Sequence, residues 1–246
     1  DWSTVLAHAV IPTLHWSREY LFLMCAVLGT TISPYLFFWQ TGQEIQEEIA
    51  KGDTTIKERQ EDIHPRTIRA MRTDVWSGMF LSNLVMFFII VTSAVALSSH
   101  GITNIASAAD AATALKPFAG QWAFLLFTIG IIGTGLLAIP VLAGGTSYAL
   151  SESFRLQRKS FYGVLALSVL VGLLINFLHI DPIKALLYSA VLNGLIAPII
   201  LFLIVRLSSN ATVMGNYANG RITKTLGWII TIIMALVGIA VIVSLI

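Results

Sequence analysis

Long apolar runs separated by short polar ones make up almost the whole of this chain. A helix needs about 20 mostly apolar residues to cross ~30 Å of hydrocarbon. Six runs approach or exceed that length: Glu19 to Glu48, Val75 to Leu97, Trp122 to Leu150, Phe161 to Leu178, Ile183 to Val205 and Leu226 to Ile246. The runs are continuous rather than alternating, and a spanning backbone must satisfy its own hydrogen bonds, so they predict helices rather than strands. Residues 1–18 depart from the pattern. Pro12 interrupts them, and Trp2 and Trp16 are aromatic anchors suited to the headgroup region, which predicts an external interfacial segment. The expected fold is an all-α polytopic membrane protein whose transmembrane domain occupies residues 19–246.

Charge orients these helices. Lys and Arg are retained on the cytoplasmic side of a membrane. Lys51, Lys57, Arg59, Arg66, Arg69 and Arg72 follow the first run, Arg155, Arg158 and Lys159 the third, and Arg206, Arg221 and Lys224 the fifth. Only Arg18, Lys116 and Lys184 lie on the opposite side. The loops 43–73, 151–160 and 206–225 are therefore expected in the cytoplasm, and the first helix runs from outside to inside. Residues 43–73 mix acids with bases around His64-Pro65 and read as a solvated face. The Ala/Ser/Asp-rich stretch 98–120 predicts a short external helix around Ala106 to Leu115. Neither loop carries recognisable chemistry.

Composition narrows the function. The 246 residues are 56% hydrophobic and 11% charged, against about 25% charged in an ordinary soluble domain, so much of the surface faces lipid. A net charge of +2 and no interleaving of bases with stacking aromatics argue against a nucleic-acid partner. The single Cys25 excludes an internal disulfide and, with no Cys/His cluster beside it, suggests no zinc site; it reads as a small apolar helix residue. No nucleophile, base and orienting acid are spaced to meet, so the chain is not expected to be an enzyme. His8 and His15 are too sparse for a metal site. The opening Asp1-Trp2-Ser3, without an initiating Met or a signal peptide, and the apolar run that ends on Ile246 are expected of a fragment or processed chain.

The first run is interrupted at its middle by Gly29-Thr30-Thr31-Ile32-Ser33-Pro34-Tyr35. Proline removes a backbone donor and clashes with the preceding turn, and glycine and threonine weaken helix propensity further. Two readings follow from the residues. One is a simple proline kink. The other is an unwound point at mid-membrane depth, where carbonyls freed from the helix face an ion, the arrangement of discontinuous transporter helices.

The run Gly29 to Gln40, GTTISPYLFFWQ, resembles the sixth transmembrane helix of the natural resistance-associated macrophage protein (Nramp) family of divalent metal transporters. Typical members follow a Gly-x-Thr-Ile run with Met-Pro-His-Asn and a second His four residues later. Gly133-Thr134-Gly135 and Gly144-Gly145-Thr146-Ser147-Tyr148 with Glu152 and Phe154 are similar to the family's eighth helix, and Ser189 and Pro198 to its tenth. The resemblance covers nearly the whole chain and marks a divergent branch. It implies the second half of a leucine-transporter-like fold of two inverted five-helix repeats, with the first helix here broken near Ser33-Pro34. It also implies transport of divalent metal cations of the Mn/Mg/Fe class by alternating access.

The departures from the family pattern shift the chemistry. Ser33 replaces the metal-binding Met, Tyr35 the His, Leu36 the Asn and Gln40 the second His. Loss of the soft thioether leaves hydroxyl and carbonyl oxygens, which suit harder ions such as Mg²⁺ or Mn²⁺. Loss of both histidines removes groups that titrate near neutral pH and with them the obvious route for proton coupling. Ala190 occupies the position of a coordinating Gln, and Asn193 nearly one turn on is the candidate replacement. The implied metal-facing set is Thr31, Ile32, Ser33, Tyr35 and Asn193. The cation is substrate, and no cofactor is expected. The implied partners are the bilayer and an upstream half of the same transporter that carries the family's Asp and Asn ligands, so this chain alone is expected to bind weakly and not to transport. Two other functions remain open: an ion-coupled carrier of organic solutes with the same fold, and a non-transporting membrane scaffold.

Other polar and small residues have structural explanations. Asp74 and Asp181 are expected to stabilise helix N-termini. Gly130, Gly133 and Gly135 are expected to permit close helix packing, and Pro140 to kink the helix that contains it.

Overall fold

A computed structural model describes residues 2, 3, 5, 7, 11, 16–32, 34–55, 57, 58, 64–99, 107–113, 115–155, 158–178 and 181–245. The helices are α1 (Arg18–Thr31), α2 (Pro34–Lys51), α3 (Pro65–Ser99), α4 (Ala108–Thr113), α5 (Lys116–Ala119), α6 (Ala123–Ser153), α7 (Arg158–Phe177), α8 (Pro182–Ser208), α9 (Ala211–Met214) and α10 (Arg221–Leu245). Short 3₁₀ turns at Gly120–Trp122 and Gly215–Tyr217 lead into α6 and follow α9. No strand occurs among the described residues.

Among the described residues, five stretches are long and apolar enough to cross a membrane: Arg18–Lys51, Pro65–Val95, Gly120–Ser153, Pro182–Ser208 and Arg221–Ser244. A sixth apolar helix, Ser160–Ile175, is shorter. The chain is a polytopic membrane protein. Large apolar side chains on these helices are exposed, among them Phe80, Leu137 and Val243, as lipid-facing surfaces must be when the solvent is hydrocarbon.

Local chemistry starts and stops the helices. The Ser17 hydroxyl accepts the Tyr20 N–H at 3.3 Å and caps α1. Asp181 caps α8, accepting from the N–H groups of Ile183 at 2.9 Å and Lys184 at 3.4 Å, and Pro182 stands at the first helical position, where its missing N–H matters least. Its expected stabilising role is thus met. Asp74 has no such role, because α3 begins at Pro65 and Asp74 lies well inside it. The basic turns of α3 carry too much charge to register as apolar span, which hid the true start. Ser107 and Asp110 exchange hydrogen bonds, Ser107 N–H to the carboxylate at 2.9 Å and Asp110 N–H to the hydroxyl at 3.2 Å. This reciprocal box opens the short helix α4, within the stretch expected to be helical. Thr55 and Glu58 form a second box, with the Thr55 N–H donating to the carboxylate at 2.8 Å.

The structure comprises two units. In the first, Asp1–Phe38 with Leu165–Ile246, α1, α8 and α10 pack against one another. Their shared core contains Leu21, Cys25, Ala26, Ala190, Val191 and Val241. Cys25 is buried there with its Sγ 3.7 Å from the Val191 carbonyl. The turn between α8 and α10 is tied by Asn219, whose N–H donates to the Ser208 carbonyl and whose side chain donates to the Ser208 hydroxyl, both at 2.8 Å. In the second unit, Trp39–Val164, α6 packs against α4 and α5. Helix α6 continues through Pro140. Of the interfacial segment, His8, Pro12 and His15 lie outside the described residues, while Trp2 and Trp16 are exposed.

Candidate functional site

The interruption read from the sequence is present. Helix α1 ends at Thr31, and Ile32 takes φ −104° and ψ 87°, outside the helical region. The Ile32 N–H still donates to the Leu28 carbonyl at 3.0 Å, and helix resumes at Pro34. The physical cause is local. Pro34 has no N–H to continue the helical ladder. The hydroxyls of Thr30 and Thr31 both donate to the Val27 carbonyl at 2.8 Å, the back-bonding that bends helices. A helix that stops at Thr31 leaves its last carbonyls without intrahelical donors. The interruption sits near the middle of the 34-residue stretch Arg18–Lys51.

Close packing holds the end of α1 in place. A Cβ built on Gly29 would meet the Ala190 carbonyl and stand 2.8 Å from the Gly194 Cα. One built on Gly194 would stand 2.7 Å from the Cys25 Sγ. Backbone therefore lies on backbone where α1 crosses α8, the use to which membrane proteins put small residues. Asn193 adjoins this crossing and is half-buried. Of the expected metal-facing residues, Thr31 and Ile32 stand at the end of α1, and Asn193 is on the helix packed against it. Tyr35 is in the first turn of α2. Ser33 and the Tyr35 side chain lie outside the described residues. The Thr31 hydroxyl spends its proton on Val27 and keeps its lone pairs. Among the described residues, no group of three His, Cys, Asp or Glu side chains could hold a metal ion; the end of α1 and Asn193 carry carbonyl, hydroxyl and amide oxygens.

Beyond the interruption, α2 rests on the second half of α6 through residues that sequence reasoning did not pair. A Cβ on Gly144 would overlap the Trp39 indole, its Cε3 lying 2.6 Å away, and a Cβ on Gly42 would stand 2.8 Å from the Tyr148 ring. The Tyr148 ring lies 5.9 Å from Trp39 and 4.8 Å from Phe161, centroid to centroid. The Gln43 amide donates to the Tyr148 hydroxyl at 3.4 Å. The run Gly144-Gly145-Thr146-Ser147 was the available signal, since it leaves room for a large partner, but nothing in the run itself names that partner.

Gly130, Gly133 and Gly135 behave differently from the packing role expected of them. Among the described residues, no atom of a neighbouring element lies within 4 Å of a Cβ built on Gly130 or Gly133, and Gly135 meets only Ile139 of its own helix. Gly130 and Gly135, with Thr134, instead line a cavity of about 950 Å³ bounded by Phe88, Thr92 and Phe127. Gly42 and Gly144 do pack closely in this unit.

Residues 1–244 match the family model of natural resistance-associated macrophage protein-like proteins. Similar relatives are the divalent metal cation transporters MntH of three bacteria. That of Klebsiella pneumoniae subsp. pneumoniae is 29% identical over 232 residues, 93% of this chain and 52% of the relative. That of Mycobacterium leprae is 26% identical over 238 residues, 96% and 53% respectively. That of Clostridium acetobutylicum is 25% identical over 244 residues, 97% and 53%. The chain spans about half the length of the curated relatives it matches. A family match that runs almost from end to end of this polytopic helical chain establishes that the protein belongs to the natural resistance-associated macrophage protein family.

Proposed function

We propose that this chain forms part of a divalent metal cation transporter and contributes oxygen ligands to the cation at the interruption between α1 and α2. The observation that carries the reading is Ile32, turned out of the helix near the middle of an apolar stretch that crosses a membrane. Irregular backbone at that depth is tolerated where it lines a cavity or an ion path. The names of the MntH relatives supply the substrate class. Carbonyls at Thr31 and Ile32, the hydroxyls of Thr31 and Ser33, and the side chains of Tyr35 and Asn193 face the ion directly or through water. An all-oxygen set of this kind favours hard cations, Mg²⁺ and Mn²⁺, over softer ones.

The chain is the second half of an inverted-repeat fold in this reading, and access alternates as one helix bundle rocks against the other. The close α1–α8 crossing keeps the ion-facing turn fixed to one rigid group during that motion. The test is Mn²⁺ and Mg²⁺ titration of the purified chain and of its Thr31→Val and Asn193→Leu variants. Each substitution is expected to weaken binding at least about tenfold, the scale that even outer-shell partners of metal sites command. Unchanged affinity in both variants rejects the site.

A further inference from the structure

Helix α3 is longer than its apolar stretch. It starts at Pro65, while the apolar run read from the sequence starts at Val75, so residues 65–74 extend one end of the rod by about 15 Å. That extension carries Arg66, Arg69 and Arg72 and a single acid, Asp74. The three arginines are exposed, and no hydrogen bond or ion pair formed among the described residues engages their guanidinium groups.

Arg69, Arg72, Thr73, Trp76, Ser77 and Phe80 line one shallow groove of about 440 Å³. Their spacing, i, i+3, i+4, i+7, i+8 and i+11, is that of a single helix face. The Thr73 and Ser77 hydroxyls already donate to the carbonyls of Arg69 and Asp74, both at 3.0 Å, which leaves the guanidinium groups and the Trp76 indole N–H as the groove's hydrogen-bond donors. Trp76 is 77% exposed and Phe80 66%. Over about 16 Å of helix, one face thus passes from cations through small hydroxyls to an indole and then a phenyl ring. Asp74 lines an adjoining groove with Arg66, and Arg69, Thr73 and Ser77 border both grooves.

We propose that this stripe docks an anionic phospholipid of the surrounding bilayer, with its phosphate on Arg69 and Arg72, its ester region beside Trp76 and an acyl chain along Phe80. Charge complementarity selects the headgroup, since guanidinium forks match phosphate oxygens in pairs. The order of side chains selects a lipid over a free anion. Indole rings settle at headgroup depth, basic clusters beside a membrane helix attract anionic leaflets, and the groove runs directly into the membrane-crossing stretch Pro65–Val95. A free phosphate would use the two arginines and leave Trp76 and Phe80 without a role.

The test is native mass spectrometry of the purified chain released from micelles doped with phosphatidylglycerol or, in parallel, with neutral phosphatidylcholine. The chain is expected to retain phosphatidylglycerol preferentially, and R69Q/R72Q to lower that retention by about fivefold per arginine removed. R69K/R72K, which keeps the charge but not the fork, restores part of it and separates lost binding from lost fold. W76A also lowers retention, whereas R221Q/K224Q, which removes two cations from the start of α10, leaves it unchanged. Equal retention of the two lipids, full retention by R69Q/R72Q, or an equal loss in R221Q/K224Q overturns the proposal. Inorganic phosphate that binds as tightly as the lipid overturns it too, in favour of a plain anion site.

Discussion

Gly29 of α1 lies so close to Gly194 of α8 that a side-chain carbon on the first would stand 2.8 Å from the Cα of the second. The crossing falls two residues before α1 ends at Thr31, so the same contact that joins the helices fixes where the ion-facing turn sits. Gly29→Ala or Gly194→Ala must push the helices apart, because backbone atoms of Ala190 and Gly194 stand in the way of the first and the Cys25 carbonyl, with its Sγ, in the way of the second. Each is expected to destabilise the protein by about 1–3 kcal/mol, the usual cost of overpacking. Gly133→Ala, with open space around it, is expected to change stability by less than about 0.5 kcal/mol. Reversible unfolding in mixed micelles measures all three; equal effects at Gly133 and Gly194 would contradict the crossing.

Trp39 and Gly144 should be energetically coupled. Gly144→Ala drives a methyl into the indole ring and is expected to cost about 1–3 kcal/mol. Trp39→Phe leaves a smaller ring, so Gly144→Ala should cost less in that background than in the native one. A double-mutant cycle reads the difference, expected at about 1 kcal/mol for residues in direct contact. Strict additivity would mean that the two helices do not meet there.

Asp181 holds the start of α8 through two N–H groups. Asp181→Ala is expected to cost about 1 kcal/mol, and Asp181→Ser or Asp181→Asn much less, because all but alanine can cap. If alanine is tolerated as well as serine, the cap contributes nothing.

The Thr55–Glu58 box should respond to acid. The Thr55 N–H, then the Thr55 hydroxyl, hold the Glu58 carboxyl below the ordinary carboxylate range. Because the folded-state value is depressed, the box is fully formed above the ordinary range and is lost as pH falls through the depressed value. Hydrogen exchange at the Thr55 amide, corrected for intrinsic rate, should show protection at neutral pH that weakens in strong acid and disappears in Glu58→Ala, which has no acceptor. Protection unchanged by either would remove the box.

The interruption of the first membrane stretch was legible because its cause is local: Pro34 lacks an N–H wherever it stands, and Thr30, Thr31 and Gly29 weaken the helix before it. The start of α3 was illegible for the converse reason. Hydropathy registers only what lipid requires, and Arg66, Arg69 and Arg72 look like loop although Pro65 suits a first helical position. Asp74 was misplaced as a consequence. Glycines pose a further limit, since Gly29, Gly144 and Gly194 meet partners far away in sequence while Gly130 and Gly133 meet none among the described residues. A one-dimensional pattern marks every one of them as small and leaves undecided which is packed. Asn193 was found only through family resemblance, and its place beside Gly194 is what makes it a candidate still.

Crystals of the protein soaked in Mn²⁺ and measured at the manganese absorption edge give the most direct test of the account. The expected result is one anomalous peak within coordination distance, about 2–2.6 Å for hard cations on oxygen, of the Thr31 or Ile32 carbonyl, with the backbone non-helical at Ile32. A continuous helix from Val27 through Leu36, or manganese bound elsewhere while this turn stays empty, would contradict it.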